Sequence, residues 1–220
     1  MKQLLHGMRR AALPLPLTAL AAPCAAFLLS AAALGGQFSP WALAAVAAAG
    51  TGWNGAAAGL GALLGALAFL DFQPGLRHGA AALLIFCANT AFCTTRLYRR
   101  DWFRPAAAVL ATALVQTAYL WQRGGRQWAL CAAALALLYG CTRLWPQKLG
   151  GPADTGRTGW FLLLLGVCAC LSRLSLYGFT PAMTAAAVLL LALGRAARPA
   201  DLICAGALAG LTLDLCAVDT

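Results

Sequence analysis

The chain has 220 residues, 62% of them hydrophobic and 10% charged, with no Glu, six Asp and a net charge of +10. A water-soluble domain of this size needs far more polar side chain to cover its surface, so the composition excludes a soluble fold and predicts an all-α, polytopic helical bundle in a lipid bilayer. The basic balance does not make a nucleic-acid binder, because fourteen Arg and two Lys are spread over short gaps between apolar runs, with no basic stripe or aromatic platform.

Taken in order, Lys2, Arg9 and Arg10 precede an apolar run over residues 11–34. The run is too long for a signal-peptide core of ~7–15 residues, and more apolar sequence follows it, so it reads as a first membrane span kinked at Pro14, Pro16 and Pro23. Pro23 before Cys24 disfavours a lipoprotein site. As a single helix, residues 40–70 would measure roughly 46 Å at about 1.5 Å per residue, well beyond a hydrocarbon core of ~30 Å. Gly50-Thr51-Gly52-Trp53-Asn54-Gly55 supplies a turn in the middle, so the stretch reads as two short helices, 40–50 and 53–70, with Trp53 at the interface and Asn54 at the bend. The remaining spans fall at 79–95, 105–121, 128–145, 158–177, 181–194 and 199–216. That makes about nine in one membrane domain over residues 1–220, without a soluble domain.

The positive-inside rule tests this count, since one extra or missing span moves every later loop to the other side. With the hairpin, Lys2, Arg9, Arg10, Arg96, Arg99, Arg100, Arg104, Arg143, Lys148, Arg157, Arg195 and Arg198 are cytoplasmic, and only Arg77, Arg123 and Arg126 are external. If residues 40–70 crossed once, six of these would be inside and nine outside. The charges therefore favour a hairpin, or a re-entrant loop that gives the same tally, with the N-terminus in the cytoplasm of a multi-pass cell-membrane protein and the C-terminal residues outside.

The stretch from Gly36 to Asp71 recurs from Gly178 to Asp214. Phe-Ser-Pro becomes Phe-Thr-Pro, Pro40 matches Pro181, and Asp71 matches Asp214, as an old duplication would leave them. Both prolines begin helices running from outside to inside, so the Pro-started hairpins are parallel repeats and not the inverted repeats of many transporters. Gly55, Gly59, Gly61 and Gly65, and in the second copy Gly206 and Gly210, lie at the spacing that lets helices approach closely, which predicts contact within the bundle or with another subunit.

The nine cysteines lie almost entirely inside apolar runs and behave as small hydrophobes. No metal spacing occurs, and His6 and His78 are distant from any cysteine along the chain, so no metal or cofactor site is expected. Arg173 lies near the outer end of its span, where it either snorkels to the headgroups or pairs with Asp71 or Asp214. Asn54, Asn89, Thr90 and Gln116 are scattered polar groups suited to bonding between helices. No catalytic constellation is present, and the chain itself is not expected to be an enzyme.

The Gly-x-Phe-Ser-Pro-Trp-Ala-Leu-Ala entry at 36–44, followed by a Gly-x-x-x-Gly helix, resembles the amino-terminal membrane region of stage II sporulation protein E. A Ser-Pro-Phe-Gly-x-Ala stretch sits at that place in the family, and its later Gly…Pro and Gly-x-x-x-Gly-Leu stretches resemble Gly178 to Leu211. Trp41 and Ala42 depart from its Phe-Gly. The resemblance implies about ten spans followed by a cytoplasmic, manganese-dependent serine/threonine phosphatase of the PPM type, whose membrane region helps place it at the division septum. The chain would then be the non-catalytic anchoring and localising part, lacking the last span and the phosphatase with its manganese. Its partners would be the bilayer and either itself or septal division proteins, with no nucleic acid. A small-solute-binding or transport protein is the alternative, and a ligand-free membrane scaffold a third.

Overall fold

The computed structural model describes residues 15–121, 124–145, 153–172, 181–194 and 199–217. These form α1 (Leu15–Leu29), α2 (Pro40–Ala49), α3 (Gly52–Phe69), α4 (Phe72–Phe92), α5 (Phe103–Leu120), α6 (Gly125–Arg143), α7 (Ala153–Leu171), α8 (Pro181–Gly194) and α9 (Pro199–Ala217), with a 3-10 turn at Leu97–Arg99. The fold is all-α, and among the described residues only an isolated bridge between Leu34 and Phe38 has β character.

The shortest helix sits at the centre. Pro40 occupies the first turn of α2, where its missing N–H costs nothing. Every residue from Pro40 to Ala47 is buried, as suits a helix that is apolar all round. Helices α1, α3, α4, α5 and α6 enclose it, and the Trp41 indole reaches α7 by donating its Nε1–H to the Leu162 carbonyl at 3.0 Å. Ten residues make a helix of only about 15 Å.

Entry to α2 differs from the continuous first span expected over 11–34. Residues 11–14 lie outside the described residues, and α1 stops at Leu29. Gly35 and Gly36 then take φ of +56° and +67°, left-handed values that glycine adopts without steric cost. They let Leu34 and Phe38 exchange backbone hydrogen bonds of 2.7 and 3.2 Å, while the Gly35 N–H donates to the Leu215 carbonyl of α9 at 2.8 Å. This non-helical segment is buried from Ser30 to Gly35, so its polar groups need partners inside the protein. The Ser30 hydroxyl bonds the carbonyls of Ala26 (2.9 Å) and Ala62 (3.2 Å). Ser39 leaves the α2 terminus uncapped and donates to the Leu29 carbonyl at 2.9 Å.

Helix α2 ends at Ala49, with Gly50 (φ +74°) just after it, and α3 starts at Gly52 (φ +72°), so the break falls inside the Gly50–Gly55 stretch marked as a turn. Gly55 lies against the Gly50 carbonyl oxygen, closing the turn on itself. Along α3, Gly61 and Gly65 press onto the backbone of α1 at Pro23 and Phe27. The two helices run parallel there, because both residue numbers rise together.

The other glycines make no such contact within the described bundle, which leaves contact with another subunit, the alternative to packing within it. Gly59, Gly206 and Gly210 have nothing among the described residues within 4 Å of a Cβ built on them. The spacing puts glycines on one face, but only a neighbour pressed to that face uses it, and α9 buries Ala205, Ala209 and Leu213 on a different one. Two helices also begin earlier than the apolar runs suggest. Helix α4 starts at Phe72 instead of 79, with Pro74 tolerated in its first turn. Helix α7 starts at Ala153 instead of 158 and ends at Leu171.

Among the described residues one helix, α3, is long and apolar enough to cross a membrane. Large apolar side chains nevertheless cover much of the outside, including Leu60, Leu64, Leu83, Leu110, Leu114, Val188, Leu191, Ile203 and Leu211.

Candidate functional site

The first two turns of α4 bring the polar chemistry together. The spacing of Gln73 and Arg77 puts them one turn apart on the same face, and Arg77 Nε donates to the Gln73 carbonyl at 3.3 Å. Its Nη1 reaches across to Gln116 Oε1 on α5 at 3.4 Å. One turn further along α5, the Tyr119 ring lies under the guanidinium, 3.5 Å from centroid to Cζ. Hydrogen bonding and cation–π attraction thus hold the arginine between two helices.

Above this arginine opens a cleft of about 410 Å³ lined by Gln37, Asp71, Phe72, Gln73, Pro74, Arg77 and Tyr119. Asp71 precedes α4 at the capping position, yet its carboxylate makes no capping bond and is exposed. Gln37, from the turn before α2, adds an amide whose Oε1 is buried and unpartnered among the described residues.

Below the arginine lies a second, much smaller space. His78 follows Arg77 and points away from the cleft side into the bundle, where it is 1% exposed. It lines a chamber of about 10 Å³ with Ser39 and Pro40 at the start of α2, Thr112 and Gln116 of α5, and Cys131 of α6. The His78 Nε2 has no hydrogen-bond partner among the described residues. Gln116 lines the chamber and accepts from Arg77, which borders the cleft.

No family model, curated protein or solved structure matches this chain. The chemistry of the site therefore rests on its own geometry.

Of the residues singled out from the sequence, Pro40 lines the chamber and Asp71 the cleft. Of their counterparts in the second copy, Pro181 starts α8 as Pro40 starts α2, here half-buried, and Asp214 is exposed inside α9; neither lines the chamber or the cleft. Arg173, and with it the expected pairing to Asp71 or Asp214, lies outside the described residues. Asn54 is exposed in the first turn of α3. Asn89 is buried and donates to the Ala47 carbonyl at 3.4 Å, serving the last turn of α2.

His78 and Cys131, distant in the chain, line the same chamber, although among the described residues no group of three His, Cys, Asp or Glu is placed to hold a metal ion. Arg77 and His78 were missed as site residues because the segment before residue 79 reads as a loop. The available signal was the four-residue step from Gln73 to Arg77, which is one helical turn. What these residues can do is bind and orient small polar groups.

Proposed function

We propose that the chain is a membrane-embedded, multi-pass and non-catalytic helical domain that anchors and localises a larger protein or assembly. The observation that carries this reading is the apolar outside of the bundle. Leu60, Leu64, Leu83, Leu110, Leu114 and Ile203 are each 58% or more exposed, a covering suited to lipid tails and unsuited to water. Charge supports the orientation. Arg96, Arg99, Arg100 and Arg104 follow the C-terminus of α4 and Arg143 ends α6, whereas Arg77 and Arg126 begin the same two helices at the opposite end. An arginine-rich end of this kind belongs in the cytoplasm.

By its resemblance to the membrane region of stage II sporulation protein E, the domain would hold a manganese-dependent phosphatase at a division septum. Its own residues would supply packing and position, with the bilayer, itself or division proteins as partners. Reporter fusions test the embedding: activity of a cytoplasmic reporter after Arg100 and of an external reporter after Gly124 is the expected pattern. Recovery of the chain in the soluble fraction would overturn the reading.

Small-solute binding is a second reading, favoured by the cleft that sets Asp71 and Arg77 on one wall among amides. Its volume of about 410 Å³ falls within the range of ligand pockets. Its test is a thermal-shift screen of zwitterionic solutes on the purified chain. A shift abolished by Asp71→Asn supports it, and the absence of any shift removes it.

A further inference from the structure

We infer that the chamber at the start of α2 is a binding site for one water molecule, held by His78 and closed from the cleft by the Arg77–Gln116 pair. Size, chemistry and access each argue for it. The space of about 10 Å³ is at the lower limit for a single water and too small for a solute. A cavity of that size stays dry when its walls are apolar, but here polar atoms from three separate segments converge on it.

The hydrogen-bond inventory shows what a water would complete. Thr112 Oγ1 donates to the Ala108 carbonyl at 2.8 Å and Ser39 Oγ to the Leu29 carbonyl at 2.9 Å, so both hydroxyls keep lone pairs that can accept. Gln116 uses its Oε1 for Arg77, which leaves its amide N–H groups as donors. The buried His78 Nε2 has no partner among the described residues, and an unpaired ring nitrogen in an apolar interior carries its full desolvation cost. A water that accepts from Gln116, donates to the His78 Nε2 and donates to one of the two hydroxyls gives the buried ring nitrogen the partner it lacks.

Access follows from the shared residue. Gln116 lines the chamber and holds the arginine that borders the cleft, so that contact stands between the chamber and the cleft. His78 is then a solvated residue deep in a lipid-facing bundle, linked to one side of it.

The chain has only two histidines, which makes a direct test available. The full chain carrying His6→Gln, labelled with ¹⁵N-histidine and placed in lipid nanodiscs, leaves His78 as the sole imidazole signal. The expected result is a cross peak between the His78 ring and water, with an Nε2 shift typical of a hydrogen-bonded nitrogen. Thr112→Val should shift that Nε2 signal, and Gln116→Ala should speed exchange of the cross peak with bulk water. A bare imine nitrogen without a water cross peak in the His6→Gln chain overturns the inference whatever the variants do. A cross peak whose exchange is unchanged in Gln116→Ala overturns the closure by Arg77 and Gln116.

Discussion

The indole of Trp41 lies directly on Gly166, so that a Cβ added to the glycine would fall 2.6 Å from the ring carbon Cδ1. The Trp41 Nε1–H donates to the Leu162 carbonyl one turn earlier in α7. A glycine at this place lets the largest buried side chain of the core approach a helix backbone closely enough to bond it. Gly166→Ala is therefore expected to destabilise the bundle by ~1–3 kcal/mol through overpacking. Trp41→Phe, which loses the hydrogen bond and one ring, should cost about 2 kcal/mol. Denaturant titration in detergent checks both, and near-neutral values would show that α7 does not lean on α2.

Glycines with the same spacing should behave in opposite ways. Gly61 and Gly65 touch the backbone of α1, whereas Gly206 and Gly210 face open space among the described residues. Gly61→Leu should lower stability by at least ~1–3 kcal/mol because no flexible side-chain end is there to yield. Gly206→Ala and Gly210→Ala should stay within ~0.5 kcal/mol or gain slightly from helix propensity. Thermal unfolding of the three variants side by side measures the contrast.

Arg77 is expected to resist conservative replacement. Its planar fork bonds the Gln73 carbonyl and Gln116 and covers the Tyr119 ring, a combination that an ammonium does not reproduce. Arg77→Lys should thus recover little of the loss seen in Arg77→Leu. A double-mutant cycle with Tyr119→Leu should return a coupling of roughly 0.5–2 kcal/mol. A coupling near zero would mean that the stacked geometry contributes nothing.

How much of this was visible in the residues depended on whether local signals agreed with the packing. Gly50 to Gly55 is a dense cluster of turn residues, and the helix does break there, at Gly50 and Thr51. The turn before α2 was hidden because Ser30 to Leu34 continues an Ala-rich apolar run, and only Gly35-Gly36 marks the reversal. Arg77 and Pro74 made the start of α4 read as a loop, although a proline in the first turn and an arginine held by a neighbouring helix are both compatible with helix. No local pattern could bring His78, Thr112 and Cys131 together, since three helices meet there only after α2 is caged.

In the membrane-embedded reading, the turn at Gly50 sets the orientation of everything after it. Gly50 and Gly52 both have φ above +70°, and Gly50 combines it with ψ of −122°, backbone conformations that glycine adopts without a Cβ penalty and a β-branched residue does not. At Gly50 the Tyr98 hydroxyl adds a steric limit, 3.1 Å from a built Cβ, while Gly52 has open space. Gly52→Asn should therefore be tolerated better than Gly52→Val, because asparagine visits left-handed conformations more readily. Replacing both glycines with leucine favours a continuous helix over residues 40–69, roughly 45 Å long at 1.5 Å per residue. In the membrane-embedded reading such a helix crosses once, and every later loop changes sides against its arginines. The expected outcome in the double variant is loss of the cytoplasmic reporter signal after Arg100, through inversion or degradation, with the single Gly52→Asn chain unaffected. An unchanged signal in the double variant would mean that the cage around α2, and not its glycines, enforces the reversal.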